Sequence, residues 1–453
     1  MTDKWKKWVP AMSILPFFIG ATGYALAGEK FTDSLYASFA LYFVSRVSDR
    51  YNVLIEIARW TAALVTTTII LFAVRTIWFN MVCWLKCLSG ESVAVYCDSD
   101  IKILFDKKIS SIYPGRKLKK AAKSHIIMLK TDIESLQFYH ENREELKGKS
   151  VYIGLREIEY GLIKENPEVV FYDMNGTIAR VLWKTIGIWK WKKTNFKIAV
   201  YGDNVLAENI LNYGLLLNLY SENQHISYNL IANNSHYKVK HRGMVTGNGD
   251  RLSYYQPDED AAWDVIENAD IVIISEEPSV ELLQTIAAVC RKGKIYYYSP
   301  TAENIGNYLQ CGNINSFGRN EDIFTDENIM QGKLIDTAQN WNLKYAETYH
   351  GETDWNKLNG FLKWSNISSA DFHEVVKDLI QLNINTDIES LAELEHIRWC
   401  RFYYINYWKY GIPDNGERKD ENKRIHICLK NYSELSQEDK EKDREIIKNV
   451  GDL

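Results

Sequence analysis

From Trp8 to Gly28 the chain carries no charged residue. The run WVPAMSILPFFIGATGYALAG meets the roughly 20-residue requirement for a helix that spans a bilayer. Pro10 and Pro16 are tolerated in such a helix, because neighbouring groups can satisfy the backbone they free. No small-residue cleavage site followed by a polar start is visible, which argues against a signal peptide. A second apolar stretch runs from about Trp60 to Leu85 and is uncharged up to Arg75. Glu56 and Arg59, one turn apart, precede it and can pair on one helix face. Between the two lies Leu35–Ser45, LYASFALYFVS, bounded by Asp33 and Arg46. It is too short to span and reads as a re-entrant or interfacial element. Span, short run, span is the layout of a two-helix pore module. A hairpin anchor with an amphipathic connector fits the same residues. In the pore reading, Phe39, Tyr42 and Phe43 line the path with Thr61, Thr66, Thr67 and Thr68. Arg59 is expensive in lipid and should face protein or water. Lys4, Lys6 and Lys7 precede the first span, and Arg75 and Lys86 end the second. Positive charge stays inside, so the expectation is a multi-pass inner-membrane protein with both termini cytoplasmic.

The average composition hides this. A mean hydropathy of −0.30 and a net charge of −5 over 453 residues describe the polar remainder, residues 89–453. The near balance of acid and base excludes a protein that binds genomic DNA through bulk positive charge. Cys83, Cys87, Cys97, Cys290, Cys311, Cys400 and Cys428 form no CxxC pair and no zinc spacing. An odd count without a framework favours a reducing compartment, and no metal site is expected.

Two α/β halves follow. Glu91–Cys97 reads as a strand, followed by the turn Asp98-Ser99-Asp100 and a helix from Ile101. Ser124–Leu129 and Ser150–Leu155 are further buried strands, and such alternation means a parallel sheet. Lys197–Tyr201, Ile226–Ala232 and Ala269–Ser275 repeat the scheme. The dinucleotide fingerprint needs glycines so that backbone can approach a pyrophosphate. The second half keeps Gly202 but has Asn204 and Ala207 at the next two positions, so a nucleotide site and a purely structural Rossmann-like domain both stay open. In the first half two carboxylates replace the glycines and would repel phosphate. NAD is not expected. The connector between halves interleaves Trp183, Lys184, Trp189, Lys190, Trp191, Lys192 and Lys193. Such residues can stack bases or meet lipid headgroups, but the simpler reading is an edge element with packed indoles and solvated lysines.

The C-terminal part is helical. In Leu391–Gly411, Leu391, Leu394 and Glu395 share a face with Arg398 and Trp399, and Gly411 is placed to cap the helix end. Ser436 is an N-cap candidate for a last helix. Leu391-Ala392-Glu393, Glu395-His396, Arg398-Trp399, Trp408-Lys409-Tyr410-Gly411, His426, Leu435 and Lys442-Asp443-Arg444 resemble the RyR domain, with Ile427 where that family usually has proline. Over most of its length the chain resembles bacterial membrane proteins with a two-helix pore-like module, two TrkA-N (RCK-like) Rossmann domains and a terminal RyR domain. The fold implied is a membrane α-helical module (1–88), two Rossmann-like α/β domains (89–193 and 194–335), a helical linker (336–390) and a C-terminal helical RyR-like domain (391–453).

The resemblance implies a homotetrameric ring beneath a pore and an antiphage-defence effector. A nucleotide or short oligonucleotide messenger would control the pore. Candidate base-stacking residues are Trp399, Trp408 and Tyr410. Candidate phosphate contacts are Arg398, Arg401, Lys409 and His426, with Gly202 and Asn204 as the second possible site. The stretch Ala40–Ser45 contains no glycine where a potassium filter loop of the TVGYG type would stand. This argues against an ordinary RCK-type potassium channel. A membrane-anchored nucleotide-sensing subunit of a cation transporter is the other reading. No motif for catalysis stands in a convincing context, so no enzyme activity is expected.

Overall fold

The computed structural model describes residues 3–88, 91–98, 101, 103–159, 163, 166, 168–301, 305–308, 313–330, 332–414 and 416–451. Ser99, Asp100 and Cys311 lie outside them. The chain divides into two compact units, Met1–Gly90 and Glu91–Leu453.

The first unit is helical: α1 (Asp3–Leu26), α2 (Phe31–Ala40) with a 3-10 turn over Leu41–Phe43, and α3 (Val53–Cys87). Asn52 starts α3 by accepting from the Ile55 amide, and its amide nitrogen donates to the Gly23 carbonyl at 2.6 Å. The helices meet through small residues. A Cβ on Gly20 would stand 3.0 Å from Ser38 Oγ and 3.3 Å from Ala58 Cβ. Tyr24, Ala37, Leu41, Ile55, Ala58 and Ala62 form the core. The short apolar run is thus the second half of α2 and the 3-10 turn that follows it, with Ala37 and Leu41 in the core of the unit. The helix that carries the second apolar stretch starts at Val53, about two turns before Trp60, and ends at Cys87, just past Leu85. Among the described residues one helix, Val53–Cys87, is long and apolar enough to cross a membrane.

Tyr42 and Thr66, expected along a path, use their polar groups inside the protomer. The Tyr42 hydroxyl donates to the Ser13 carbonyl at 2.6 Å, and Thr66 Oγ1 donates to the Tyr42 carbonyl at 2.8 Å. Arg59 pairs with Glu56 at 2.6 Å. Thr61 donates back to the Ile57 carbonyl. Thr67, Phe39 and Phe43 are exposed, and the two phenylalanine rings touch edge to face.

The second unit holds two parallel sheets. The first has β1 (Ser92–Cys97), β2 (Ser110–Ile112), β3 (Ser124–Met128), α4 (Asp132–Glu141), α5 (Arg143–Leu146), β4 (Ser150–Leu155), β5 (Val170–Asp173) and α6 (Met174–Ile186), with strand order 2-1-3-4-5. Among the described residues no helix starts at Ile101. Leu104 instead exchanges backbone bonds with Phe324 and Asp326, and a residue bridged in this way cannot wind into a helix. Asp98 is held by Arg116 at 2.5 Å, which keeps its carboxyl below the usual carboxylate range.

The second sheet has β6 (Asn195–Tyr201), α7 (Val205–Leu217), β7 (His225–Ile231), α8 (His236–Lys240), β8 (Arg251–Tyr255), α9 (Asp260–Glu267), β9 (Ile271–Ile274), α10 (Val280–Val289), β10 (Lys294–Tyr298) and β11 (Ile314–Phe317). All its pairings are parallel and the order is β11-β10-β9-β6-β7-β8. This is the doubly wound Rossmann order, with its switch point at β6. The Trp/Lys connector is the end of α6 and a 3-10 turn. Trp183 is fully buried, and its Nε1 donates to the Ile210 carbonyl at 2.8 Å. Trp189 Nε1 donates to Asp378, and Lys184 pairs with Asp371. The indoles of the connector pack as its simpler reading held, but Lys190 and Lys193 pair with Asp378 and Asp270 as well, so these lysines are ion-paired.

The chain ends in α11 (Asn320–Ile323), α12 (Asp326–Met330), α13 (Gly332–Tyr349), α14 (Gly360–Gln381), α15 (Ile388–Ile405), the small sheet β12 (Lys409–Tyr410), β13 (Lys419–Asp420) and β14 (Ile425–His426), and α16 (Gln437–Gly451). Gly411 does not cap α15. That helix ends at Ile405, and Tyr407 takes the left-handed conformation at φ 68.

A candidate ligand cleft among the C-terminal helices

Three local caps set the helices that frame the cleft. The Asn359 side chain accepts from the Leu362 amide, Asp387 from the Ser390 amide and Ser436 from the Asp439 amide. Each satisfies an otherwise orphaned N–H. Helices α13 to α16 then enclose a cavity of about 600 Å³, within the size range of small-molecule sites.

One wall is aromatic. The Trp399 ring centroid lies 4.4 Å from Tyr403 and 5.1 Å from His426, edge-on. Tyr345 and Tyr349 of α13, 4.9 Å apart, face the cavity from the other side. The rim carries Arg418, Lys419 and Lys442. Each is tied to a carboxylate: Arg418 to Asp439, Lys419 to Glu421 at 2.7 Å, and Lys442 to Asp439 at 3.2 Å. His426 Nδ1 accepts from the Cys428 amide at 3.0 Å. Burial, reinforced by Arg418 and Lys419, pushes the His426 pKa down to about 4. The neutral ring then carries its proton on Nε2, as a donor.

The floor is a buried charge pair. Arg398 Nε and Nη2 each donate to Glu395 at 2.8 Å, and Nη1 donates to Ser368 Oγ at 3.2 Å. Ser369 Oγ donates to Glu395 at 2.9 Å. Both residues are about 1 % exposed, and a buried pair survives only when its remaining polar atoms are satisfied. Beside it, His396 Nε2 donates to the Lys430 carbonyl at 2.9 Å and Nδ1 stands 3.4 Å from Asp443. Burial opposes the charged ring, but the hydrogen bonds to Asp443 and Cys400 outweigh it and raise the pKa. His396 is therefore structural.

Of the residues expected to bind ligand, Arg398, Trp399 and His426 line the cleft. Arg398 does so with its donors already committed. Arg401 turns away from it. Its guanidinium donates to Asp250 at 2.7 Å and to the Leu215 carbonyl at 2.9 Å, which docks α15 on the second sheet. Trp408 packs behind the wall, stacked on Phe361 at 5.6 Å. Lys409 and Tyr410 are exposed on β12, outside the cleft.

Gly202 and Asn204 lie at the end of β6, far along the chain from these helices. Gly202 has φ +132, and a Cβ there would stand 2.1 Å from Ser275 Oγ. Asn204 spends its side chain as the α7 cap, accepting from Ala207 N at 2.8 Å, and on the Ser275 carbonyl at 3.1 Å. The turn is closed by protein groups.

Tyr345, Tyr349, Arg418, Lys419 and Lys442 are contributions the sequence reading missed. Trp341, Tyr345 and Tyr349, spaced by four on a largely polar helix, were the available signal for an aromatic face on α13. Among the described residues no cluster of His, Cys, Asp and Glu is arranged to hold a metal.

No curated protein matches the chain. A protein-family model does: residues 373–450 match the RyR domain. The match begins inside α14 and runs through α15, the small sheet and α16, and α13 lies outside it. The region that supplies most of the cleft thus matches the RyR domain.

Proposed function

We propose that the protein is a ligand-controlled oligomeric membrane channel that binds a nucleotide or short oligonucleotide messenger in the cleft of its C-terminal helices. The observation that carries this reading is the cleft itself. It pairs aromatic faces able to stack a base with a cationic rim able to hold phosphate, on the same chain as a 35-residue apolar helix. The rim cations are held by carboxylates, so an incoming phosphate competes for them instead of meeting free charge. That competition supplies a difference in affinity between two states, which is the only means by which a ligand shifts a conformational equilibrium.

In this reading the Rossmann-order sheets act as TrkA-N-like ring domains, copies assemble as a tetramer, and both termini lie on the cytoplasmic side of the inner membrane. A role as an antiphage-defence effector follows from the resemblance of the sequence. The protein has no catalytic step of its own and needs no NAD.

The test is ion flux through liposomes carrying the purified full chain, against a panel of mono-, cyclic and oligonucleotides. Flux that depends on one of them supports the channel. Binding without flux from any of them would move the protein to the regulatory-subunit reading. The pair Arg418→Ala, Lys419→Ala should weaken nucleotide binding at least tenfold. Unchanged affinity in that pair would remove the cleft from the proposal.

A further inference from the structure

Among the described residues Arg180, Arg398 and Arg401 are buried in the second unit. Two of them are well held. Arg398 donates twice to Glu395 at 2.8 Å, and Arg401 donates to Asp250 at 2.7 Å and to the Leu215 carbonyl at 2.9 Å. Arg180, on α6 and 7 % exposed, is not. Its Nη2 donates to Asn328 Oδ1 at 3.3 Å, and its Nη1 lies 3.5 Å from Asp371. Both distances are past the usual range of an N–H···O bond. Asp371 is already taken by Lys184 at 2.7 Å. A guanidinium presents a fork of N–H donors, and no further hydrogen bond reaches this one among the described residues. A buried cation in this state costs stability until something answers it.

Arg180 borders a cavity of about 460 Å³, within the size range of small-molecule sites. The cavity lies where α6, α12, α13 and α14 meet, and it shares no lining residue with the cleft above. The two use successive stretches of α14. Leu362 to Ser369 serve the cleft, and Ala370 to Gln381 serve the cavity.

The charge around this cavity does not cancel. Lys184 also pairs with Glu374, and Asp378 is met by Lys190 at 2.7 Å and by Trp189 Nε1 at 3.1 Å. These carboxylates are answered by protein groups. Lys333 and Lys377 border the same cavity and form no ion pair among the described residues. Glu327 is the carboxylate of the lining left to face them. Lys333 is exposed and Lys377 half-buried, so neither ammonium is spent on packing. Leu334 and Trp341 add an apolar side.

We propose that this cavity binds a small organic anion, whose phosphate or carboxylate group completes the hydrogen bonding of Arg180 and is neutralised by Lys333 and Lys377. Arginine grips either group through paired N–H bonds. The volume leaves room for an organic body against Leu334 and Trp341. Arg180 comes from the first α/β half and the lysines from α13 and α14, so the anion ties that half to the C-terminal helices. The proposal is independent of nucleotide binding in the cleft and of conduction.

Equilibrium dialysis of the purified full chain against labelled pyrophosphate and labelled citrate, at constant ionic strength, tests it. At least one of them should be retained saturably. Lys333→Ala with Lys377→Ala should weaken that retention by about tenfold or more, and Arg418→Ala with Lys419→Ala should leave it unchanged. Arg180→Lys keeps the charge and loses the fork, and should weaken binding about fivefold in protein that still melts cooperatively. Retention of pyrophosphate alone assigns a phosphate ligand, and of citrate alone a carboxylate. No saturable retention of either, or parental affinity in the Lys333/Lys377 or the Arg180 variant, overturns the site. So does a loss confined to the Arg418/Lys419 variant, which would place the anion in the cleft. Nucleotide-dependent flux is measured on the same protein, and its presence or absence leaves each of these outcomes as it stands.

Discussion

At the scale of single residues, two arginines that line the same cleft have opposite roles. Arg398 lies at the floor of the cleft with each of its three guanidinium nitrogens donating to Glu395 or Ser368. Replacing it by alanine strands a buried carboxylate, and the expected loss is about 3–5 kcal/mol of stability. Thermal denaturation of the purified protein reads this directly. Arg418 is half exposed on the rim, so Arg418→Ala should move the melting temperature little while weakening ligand binding. A variant at Arg398 that folds normally would contradict the assignment.

The histidines set a pH dependence. His125, His241, His373 and His426 are each pushed down to about 4, burial being the first cause in every case. The unfolded chain takes up these protons near pH 6.5, and the folded chain does not until about pH 4. Their contribution to stability is therefore full above pH 6.5 and is lost as pH falls toward 4. Each such group costs on the order of 1.4 kcal/mol per pH unit in that window. Melting temperature should fall steeply from pH 6.5 to 5. His396, whose pKa is raised, does not add to the loss, because it is already protonated there.

At the scale of elements, the β6–α7 turn separates a structural glycine from a binding one. Gly202 combines positive φ with a Cβ position blocked by Ser275. Gly202→Ala should cost on the order of 1–3 kcal/mol, and adding Ser275→Ala should recover only part, since the backbone penalty remains. Asn204→Ala should cost about 1 kcal/mol as a lost cap and leave nucleotide affinity unchanged. A loss of affinity with no loss of stability would return the site to this turn.

Elements also differed in how legible they were. The buried central strands β1, β3, β4, β6, β7 and β9 were readable because each is a run of apolar residues between turn signals. The edge strands β2, β5, β8 and β11 and the central β10 were not read; in β2 and β8 the half-buried Ser110 and the exposed Arg251 break any apolar run, and β10 is a short run of tyrosines after a single isoleucine. The helix expected from Ile101 failed because Leu104 is bridged to residues more than 200 positions away.

At the scale of the whole molecule, Arg401 is the tie between the RyR domain and the second sheet. It reaches Asp250 and the Leu215 carbonyl from α15, with both charged groups buried. Arg401→Met should destabilise the protein by several kcal/mol by leaving Asp250 unpaired. It should also loosen ligand response from the rest of the assembly, read as a flux curve less dependent on nucleotide than in the parent protein.

The sequence by itself determined the apolar helices, the doubly wound α/β middle and the RyR-like end. Each depends on local apolar period, charge-free length or residue order within one segment, and these survive in a linear string. Only the tertiary structure decided which side chains share a cavity. Trp399 and His426 line one cavity with Tyr345 from elements far apart in sequence, while Trp408 and Arg401, equally promising in the string, are taken up by Phe361 and Asp250. A binding residue is defined by what remains unsatisfied after packing, and packing is a long-range property. The charge-free run at Trp8–Gly28 marked a helix in the string, but among the described residues the one long and apolar enough to cross a membrane is Val53–Cys87.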